Sequence, residues 1–460
     1  MKTLSFFAGL VLLLIAQSGA YANASVSNDF GNFKLLSVTH TIAKANGLRS
    51  AMGVYIANPA NNSGDHQITL KTGDIILALN GRDVKKPSDF TTDKLAKETG
   101  EFINYKIWRN RKVHFLNLRK PNSIVHETSS DIDVLNDEVS FMLGAIRCVV
   151  TKPKGVEKAP AILLVQSGNS GPVCDVDEGN TYRQITDNLT KKGYVCMRVE
   201  NVGTGEYMDQ VNANSVDVFL ETLAFEKALK QLKKYSFVDS TKTFLLGHFT
   251  GGKISQLLAS RNNVKGVIVY GSSSSTPSEY LSNTIRTNLI NGGYGQEQVA
   301  NIMKDCQKII SGILVDKIKP SDFAATNQEL IPMMRKYFKW NGEEDLMGRN
   351  IAYIQSLEQM DSWMYLSIMD TKLLVLHGSA DTKMTDNNSI KEMVDVYNFY
   401  RPGAATLLEL PGLDHNFAKV GSLKKSYELE KFTVPGKIIS LPIDDVVVSS
   451  IDNWINQLNA

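Results

Sequence analysis

The residues whose spacing speaks most clearly of chemistry are Gly247-His248-Phe249-Thr250-Gly251-Gly252, which follow the apolar run Phe244–Leu246. An apolar run ending in Gly, then three residues, then Gly-Gly opening an apolar helical pattern, predicts a buried strand turning sharply into a helix. In the Gly-x-Ser-x-Gly form of this motif the small flanking residues permit a strained turn that lifts a serine hydroxyl clear of its own backbone. Both outer glycines, Gly247 and Gly251, are present, and the serine position holds Phe249. Phenylalanine offers neither a lone pair nor an acidic proton, so covalent attack from this position is excluded. The motif is the frame of a hydrolytic site without its attacking atom.

Positioning such a frame takes a sheet, and the sequence supplies one. Strand-like runs at 146–150, 161–165, 194–199, 243–246, 264–270, 372–376 and 406–410 alternate with helical patterns near 182–192, 217–234, 253–260, 389–400 and 444–457. That alternation predicts a mostly parallel sheet covered on both faces. Two late strands lead into polar loops: Leu373–Leu376 runs on to Asp381, and Leu408–Leu410 runs on to Asp414-His415. An acid after one strand and a His after the next give the order nucleophile position, acid, base. Asp381 would orient the His415 ring and stabilise its charged form, while His415 would take and return the proton. Asp414 is the alternative acid, and His248 and His377 read as structural neighbours. Ser167, Ser170 and Ser272–Ser275 are further hydroxyls that nothing places on the turn. Between about 276 and 369 the alternation lapses into helical pattern, which predicts a cap over the carboxyl ends of the strands, where open α/β sheets bind ligands.

With these motifs, with Phe237-Val238-Asp239 before the turn and with Met197–Glu206 carrying an Arg-x-Glu-x-x-Gly-x-Gly run, residues 141–460 resemble an α/β-hydrolase of the secreted esterase or peptidase type. The resemblance implies an oxyanion loop at 165–172, whose N–H groups near Ser167 or Gly168 would join that of Thr250 in holding a developing negative charge. It also implies a small ester or peptide ligand under the cap. With Phe249 at the elbow, the expectation is a protein inactive or weakly active as a serine hydrolase that acts through ligand or partner binding. The alternative is an active hydrolase of small esters or peptides that uses Thr250 or a water activated by His415. Met333, Met334, Phe338 and Trp340 could line the ligand space or form the cap's own core.

The first part of the chain has a different pattern. Leu70-Lys71-Thr72-Gly73-Asp74-Ile75-Ile76-Leu77-Ala78-Leu79-Asn80-Gly81 is a short apolar strand between turn signals, followed by a polar helical run at 88–97 and alternating strands at 102–108 and 112–118. Residues 30–120 thus resemble a PDZ domain of the bacterial protease-associated type, a small α+β module. That resemblance implies capture of a peptide or protein C-terminus by strand addition beside Met52, Gly53, Val54 and Tyr55, and gives a third reading, an envelope interaction protein. The polar, acidic stretch 121–140 reads as a linker. Met1-Lys2, the apolar core 4–16 and Ala22-Asn23-Ala24 read as a signal peptide over 1–24, so the mature protein is expected to be exported to the periplasm or secreted.

A chain of 460 residues exceeds one compact core, and its net charge of +2 is spread without a basic stripe, which argues against nucleic acid as a partner. No segment after residue 24 approaches the ~18 uninterrupted apolar residues of a membrane span. The four cysteines, Cys148, Cys174, Cys196 and Cys306, match no metal spacing, and no dinucleotide or phosphate-loop signature is complete. No cofactor is expected.

Overall fold

The computed structural model describes residues 25–26, 33–58, 70, 73–89, 102–119, 127–142, 144–166, 168, 173–174, 176–202, 216–431 and 441–459. The expected signal peptide and most of the helix expected at 88–97 lie outside these residues. The chain divides into two compact units, Met1–Ser123 and Ile124–Ala460.

The first unit is an antiparallel sheet of β1 (Ser25–Val26), β2 (Phe33–Ser37), β3 (Val54–Asn58), β4 (Ile75–Leu79), β5 (Arg82–Asp83), β6 (Phe102–Arg109) and β7 (Lys112–Arg119). Their order is β1-β2-β3-β4-β6-β7, with β5 paired to β4. Asn80 (φ 45°) and Gly81 (φ 81°) close the β4–β5 hairpin, the two left-handed positions that an Asn-Gly turn provides. Val54, Ile56, Ile76, Ile103 and Ile107 form the core. Asp74 of the Gly-Asp signature takes a bidentate pair from Arg109, with Nε to Oδ1 and Nη2 to Oδ2 both 2.7 Å, so its charge joins β4 to β6. One expectation fails here. Val54 and Tyr55 lie on β3, which is paired on one side with β2 and on the other with β4. Its backbone groups are consumed by the ladder, and the sheet edge expected beside Met52–Tyr55 for a peptide is occupied.

The second unit is built on β8 (Ile132–Phe141), β9 (Gly144–Pro153), β10 (Ala159–Val165), β11 (Val195–Val199), β12 (Val238–His248), β13 (Gly266–Tyr270), β16 (Lys372–Gly378) and β17 (Ala405–Leu410). A two-strand hairpin, β14 (Asp345–Leu346) and β15 (Arg349–Asn350), lies apart from them. The sheet order is β8-β9-β11-β10-β12-β13-β16-β17, antiparallel through β8, β9 and β11 and parallel from β11 to β17. This is the arrangement of an α/β-hydrolase fold, as expected. The chain runs from β10 to β11 on one side and returns to β12 on the other, which makes the carboxyl end of β10 a switch point where ligands bind in such sheets. All seven expected strands are present. The eighth, β8, corrects the linker: 132–140 is strand, because Ile132, Val139 and Phe141 are buried, and of the acidic residues between them Glu138 is exposed while Asp137 accepts from the Tyr235 hydroxyl.

Helices Thr181–Lys191, Val218–Leu232, Thr250–Arg261, Asn387–Tyr400 and Asp445–Asn459 cover the faces. Each face has its own apolar cluster, one centred on Phe225, Leu245, Ile254 and Val375, the other on Phe244, Leu374, Ile451 and Trp454. Between β13 and β16 stands the cap, whose helices Pro277–Asn291, Gln296–Ile310, Pro320–Thr326, Ile331–Phe338 and Ile351–Glu358 share a separate cluster. Met334 and Phe338 sit in that cluster and Met333 and Trp340 pack against it, so core packing accounts for all four.

A buried ionic cluster ties the start of this unit to the sheet. Arg198 on β11, fully buried, donates to the Glu127 carboxylate and, over 2.7 Å, to the Val173 carbonyl. Glu200 accepts from the N–H groups of Val173 and Cys174 at 3.3 and 3.0 Å, so the Arg-x-Glu pattern fixes the chain just past the expected oxyanion loop. Removing one member of a buried pair leaves the other charge uncompensated. Glu127→Ala is therefore expected to lower stability by about 3–5 kcal/mol, read as the shift in chemical-denaturation midpoint; a change below about 1 kcal/mol would show that the cluster is dispensable.

Candidate active site

Phe249 stands at the turn between β12 and the helix Thr250–Arg261 with φ 52° and ψ −116°. For a bulky residue this is strained backbone, of the kind the surrounding structure must over-determine. The surroundings do so. The Phe249 N–H donates to the Tyr270 carbonyl at the end of β13 (3.0 Å), and its own carbonyl accepts from the Gly252 N–H (3.0 Å). The glycines are forced by close approach: a Cβ on Gly251 would lie 1.9 Å from the Val165 carbonyl oxygen, and one on Gly247 would lie 2.6 Å from the Gly251 oxygen. The elbow is intact, and its aimed side chain is a phenyl ring.

Asp381 lies in the loop after β16 and His415 in the loop after β17, and the two meet: His415 Nδ1 is 2.8 Å from Asp381 Oδ2. Asp381 Oδ1 accepts from the N–H groups of Lys383 and Met384 at 2.8 and 2.9 Å. Burial acts to raise the Asp381 pKa, but the adjacent His415 and those two N–H donors outweigh it and hold the carboxyl below its usual value. Asp414, the alternative acid, spends its carboxylate on the N–H groups of Asn416 and Ala418 (2.9 and 2.8 Å) and shapes the loop instead. The Phe249 ring stands edge-on to His415, with centroids 5.2 Å apart at 85°. On its other side it meets Tyr280 of the cap at 5.4 Å and 67°. The place where a substrate carbonyl would approach both elbow and base is thus filled by aromatic carbon.

Thr250 opens its helix, so its N–H is one of the four that lack an intrahelical partner. Its hydroxyl accepts from the Gly168 N–H at 3.1 Å, which spends the N–H that the resemblance assigned to the oxyanion. Ser167 lies outside the described residues. Ser272, Ser273 and Ser275 line a cavity that Phe249 and Thr250 also border, but none of them stands at the elbow position itself.

Several site residues carry no signal in the sequence. Gly271 (φ 56°) leaves room for the acid–base pair, since a Cβ there would lie 3.0 Å from Asp381 Oδ2 and 3.1 Å from His415 Nδ1. Tyr353 of the cap sets its hydroxyl over the oxyanion loop, 2.6 Å from where a Gly168 Cβ would stand, and donates to the buried Glu221 carboxylate. Arg349 stacks on the Tyr353 ring at 3.8 Å and lies 3.6 Å from Glu221. Gly271 announces itself only by following a strand, and the other three occupy segments with ordinary helical or turn composition.

His248 is the positioning residue of the elbow. Its Nε2 is 2.9 Å from the His415 carbonyl and its Nδ1 is 2.7 Å from the Tyr182 hydroxyl. A neutral ring that donates from Nε2 and accepts at Nδ1 satisfies both. Burial, reinforced by His415, pushes its pKa down to about 3.

No family model matches the chain. A probable periplasmic serine endoprotease DegP-like of Rhizobium meliloti is 31% identical over 188 residues, which cover 39% of this chain and 36% of that protein. Esterase EstD of Thermotoga maritima is 21% identical over 287 residues, 61% of each chain. The sequence relationship is to hydrolases. The chain spans about a third of the length of the DegP-like relative and about three-fifths of the esterase. Among solved structures, Est1E from Butyrivibrio proteoclasticus matches 70% of this chain and 98% of its own at 14% identity and a TM-score of 0.43. Among the described residues no helix is long and apolar enough to cross a membrane, and no group of His, Cys, Asp and Glu is arranged to hold a metal ion.

The His248 environment gives a pH prediction. A histidine whose folded-state pKa lies below its unfolded value of about 6.5 contributes stability that is present above that value and is lost as pH falls through it toward the folded-state pKa. Stability is therefore expected to decline between pH 6.5 and 5, by up to about 1 kcal/mol per pH unit from this residue. In His248→Gln, denaturation midpoints measured across that window should lose this part of the slope; an unchanged slope would mean that His248 titrates normally.

Proposed function

We propose that this protein is an exported α/β-hydrolase-fold protein in which elbow, acid and base persist without serine catalysis, and that it acts by holding a ligand under its cap. Phe249 carries the reading. Its ring occupies the elbow in the strained conformation that would aim a serine, and it packs at right angles against the His415 ring. Thr250 is a poor substitute, because its hydroxyl already serves the Gly168 N–H. Export is supported by the charged, apolar and small-residue sequence of positions 1–24 and by the similarity to a protein named as periplasmic.

The first unit is proposed to be PDZ-like, on the strength of its Leu-x-x-Gly-Asp-Ile-Ile signature. With β3 paired on both sides, a captured chain end would have to add at an edge of the sheet, beside β2, where the two-residue β1 now pairs, or beside β7.

Hydrolysis of short-chain nitrophenyl esters by wild type, Phe249→Ser and His415→Ala tests the central claim. The expected outcome is a silent wild type and a Phe249→Ser variant that gains turnover of about 10²-fold or more over it, lost again when His415→Ala is added. Wild-type turnover that His415→Ala abolishes would overturn the proposal.

A further inference from the structure

Beside the elbow and beneath the cap lies a cavity of about 110 Å³ with predominantly apolar walls. Its polar features are concentrated in a few groups. Lys253, one turn into the elbow helix, is buried at 7% exposure and lines it. Its Nζ donates to two neutral acceptors, the Ser274 carbonyl at 3.2 Å and the Ser362 hydroxyl at 3.4 Å, both long. Glu358 and Glu279 act on it only through space; among the described residues no carboxylate stands within ion-pair distance of Nζ. Burial lowers its pKa to about 8. The Ser272 hydroxyl, which also lines the cavity, is buried without a hydrogen-bond partner. Arg349 reaches the wall, but its Nη2, which makes no hydrogen bond, stands 3.6 Å from a Glu221 carboxylate oxygen, so its charge is already faced.

A buried ammonium facing hydrocarbon is costly unless an anion accompanies it. The protein places a lysine in the wall of this cavity, gives it two neutral acceptors and no carboxylate, and leaves a hydroxyl of the same wall unsatisfied. We propose that this cavity binds a small apolar monocarboxylate, its carboxylate set between Lys253 Nζ and the Ser272 hydroxyl and its hydrocarbon against Tyr280, Leu281, Ile354 and Leu357. The volume is of the order of the ~150 Å³ apolar cavity that accepts benzene, which sets the scale at a short acyl chain or one ring. A phosphate dianion fits poorly, because the walls are predominantly apolar and the charge of Arg349 is already faced by Glu221. A carboxylate is also what ester cleavage leaves behind, so the inference rests on the reading of the cap as a ligand site and names the ligand class.

Calorimetric titration of the full chain with hexanoate, with hexanamide as its neutral counterpart and with inorganic phosphate, tests it. Hexanoate is expected to bind about tenfold or more tightly than hexanamide, since a hydrogen-bonded ion pair is present only with the acid. Lys253→Met should remove that preference while leaving hexanamide unchanged, and Lys253→Arg should retain part of it. The wild-type comparison needs no variant to fold. Equal affinity for acid and amide, no binding of hexanoate, or phosphate bound as tightly as hexanoate would each overturn the proposal. The two proposals fail separately. Wild-type esterase activity with the hexanoate preference intact removes only the inactive-enzyme reading. Activity gained in Phe249→Ser with no such preference removes only this inference.

Discussion

The contact on which the rest of the second unit depends is backbone against backbone, where the helix Thr250–Arg261 meets the end of β10. Gly251 lies so close to the Val165 carbonyl that even a methyl group would collide with it. This approach fixes where the helix begins, and so forces the preceding residue into the φ 52° turn whatever its side chain is. The same contact brings the loop after β10 alongside the helix N-terminus, which lets the Gly168 N–H reach the Thr250 hydroxyl. The elbow is thus a consequence of sheet topology and two glycines. It does not require a serine, and it survives with phenylalanine in the serine's place.

Once the ring is there, the cap and the base loop close around it. Tyr280 from the cap and His415 from the loop after β17 meet Phe249 edge-on from two sides. Aromatic edge-to-face pairs contribute about 0.5–1.5 kcal/mol each beyond burial. The ring at the elbow therefore also joins the cap to the loop that carries His415. Beyond the ring lies the cavity under the cap, which Phe249 and Lys253 both line.

The strands, the main helices and the Asp381–His415 pair were legible because each depends on local pattern: apolar runs of strand length, and polar loops directly after them. The strand β8 was hidden because an edge strand shows water most of its length, and its acidic residues read as linker. The edge expected at Val54–Tyr55 misled for a different reason. Local pattern reveals a strand but not its neighbours, and β2 lies against it through pairing that no spacing encodes. Lys253, Arg349, Tyr353 and Gly271 escaped notice because they act across the fold, from helix, hairpin, cap and strand end onto one point. A buried lysine in an amphipathic helix looks, in sequence, like any solvated one.

The persistence of an acid and a base without a nucleophile has a physical account in the bonds they make beyond each other. Asp381, itself buried, satisfies the N–H groups of Lys383 and Met384 in the turn after β16. The His415 carbonyl receives the His248 ring, which in turn binds Tyr182 of the helix Thr181–Lys191. The next carbonyl, that of Asp414, receives the Tyr270 hydroxyl from β13 over 2.6 Å. Each of these groups is buried or half-buried, and a buried donor or acceptor deprived of its partner costs about 1–3 kcal/mol. Asp381 is therefore a turn anchor as well as an orienting acid, and the His415 loop is a junction of three strands as well as the seat of a base. These hydrogen bonds need satisfying whether or not the pair moves a proton, so the fold that the pair helps to close is by itself a reason for an acid and a base beside Phe249.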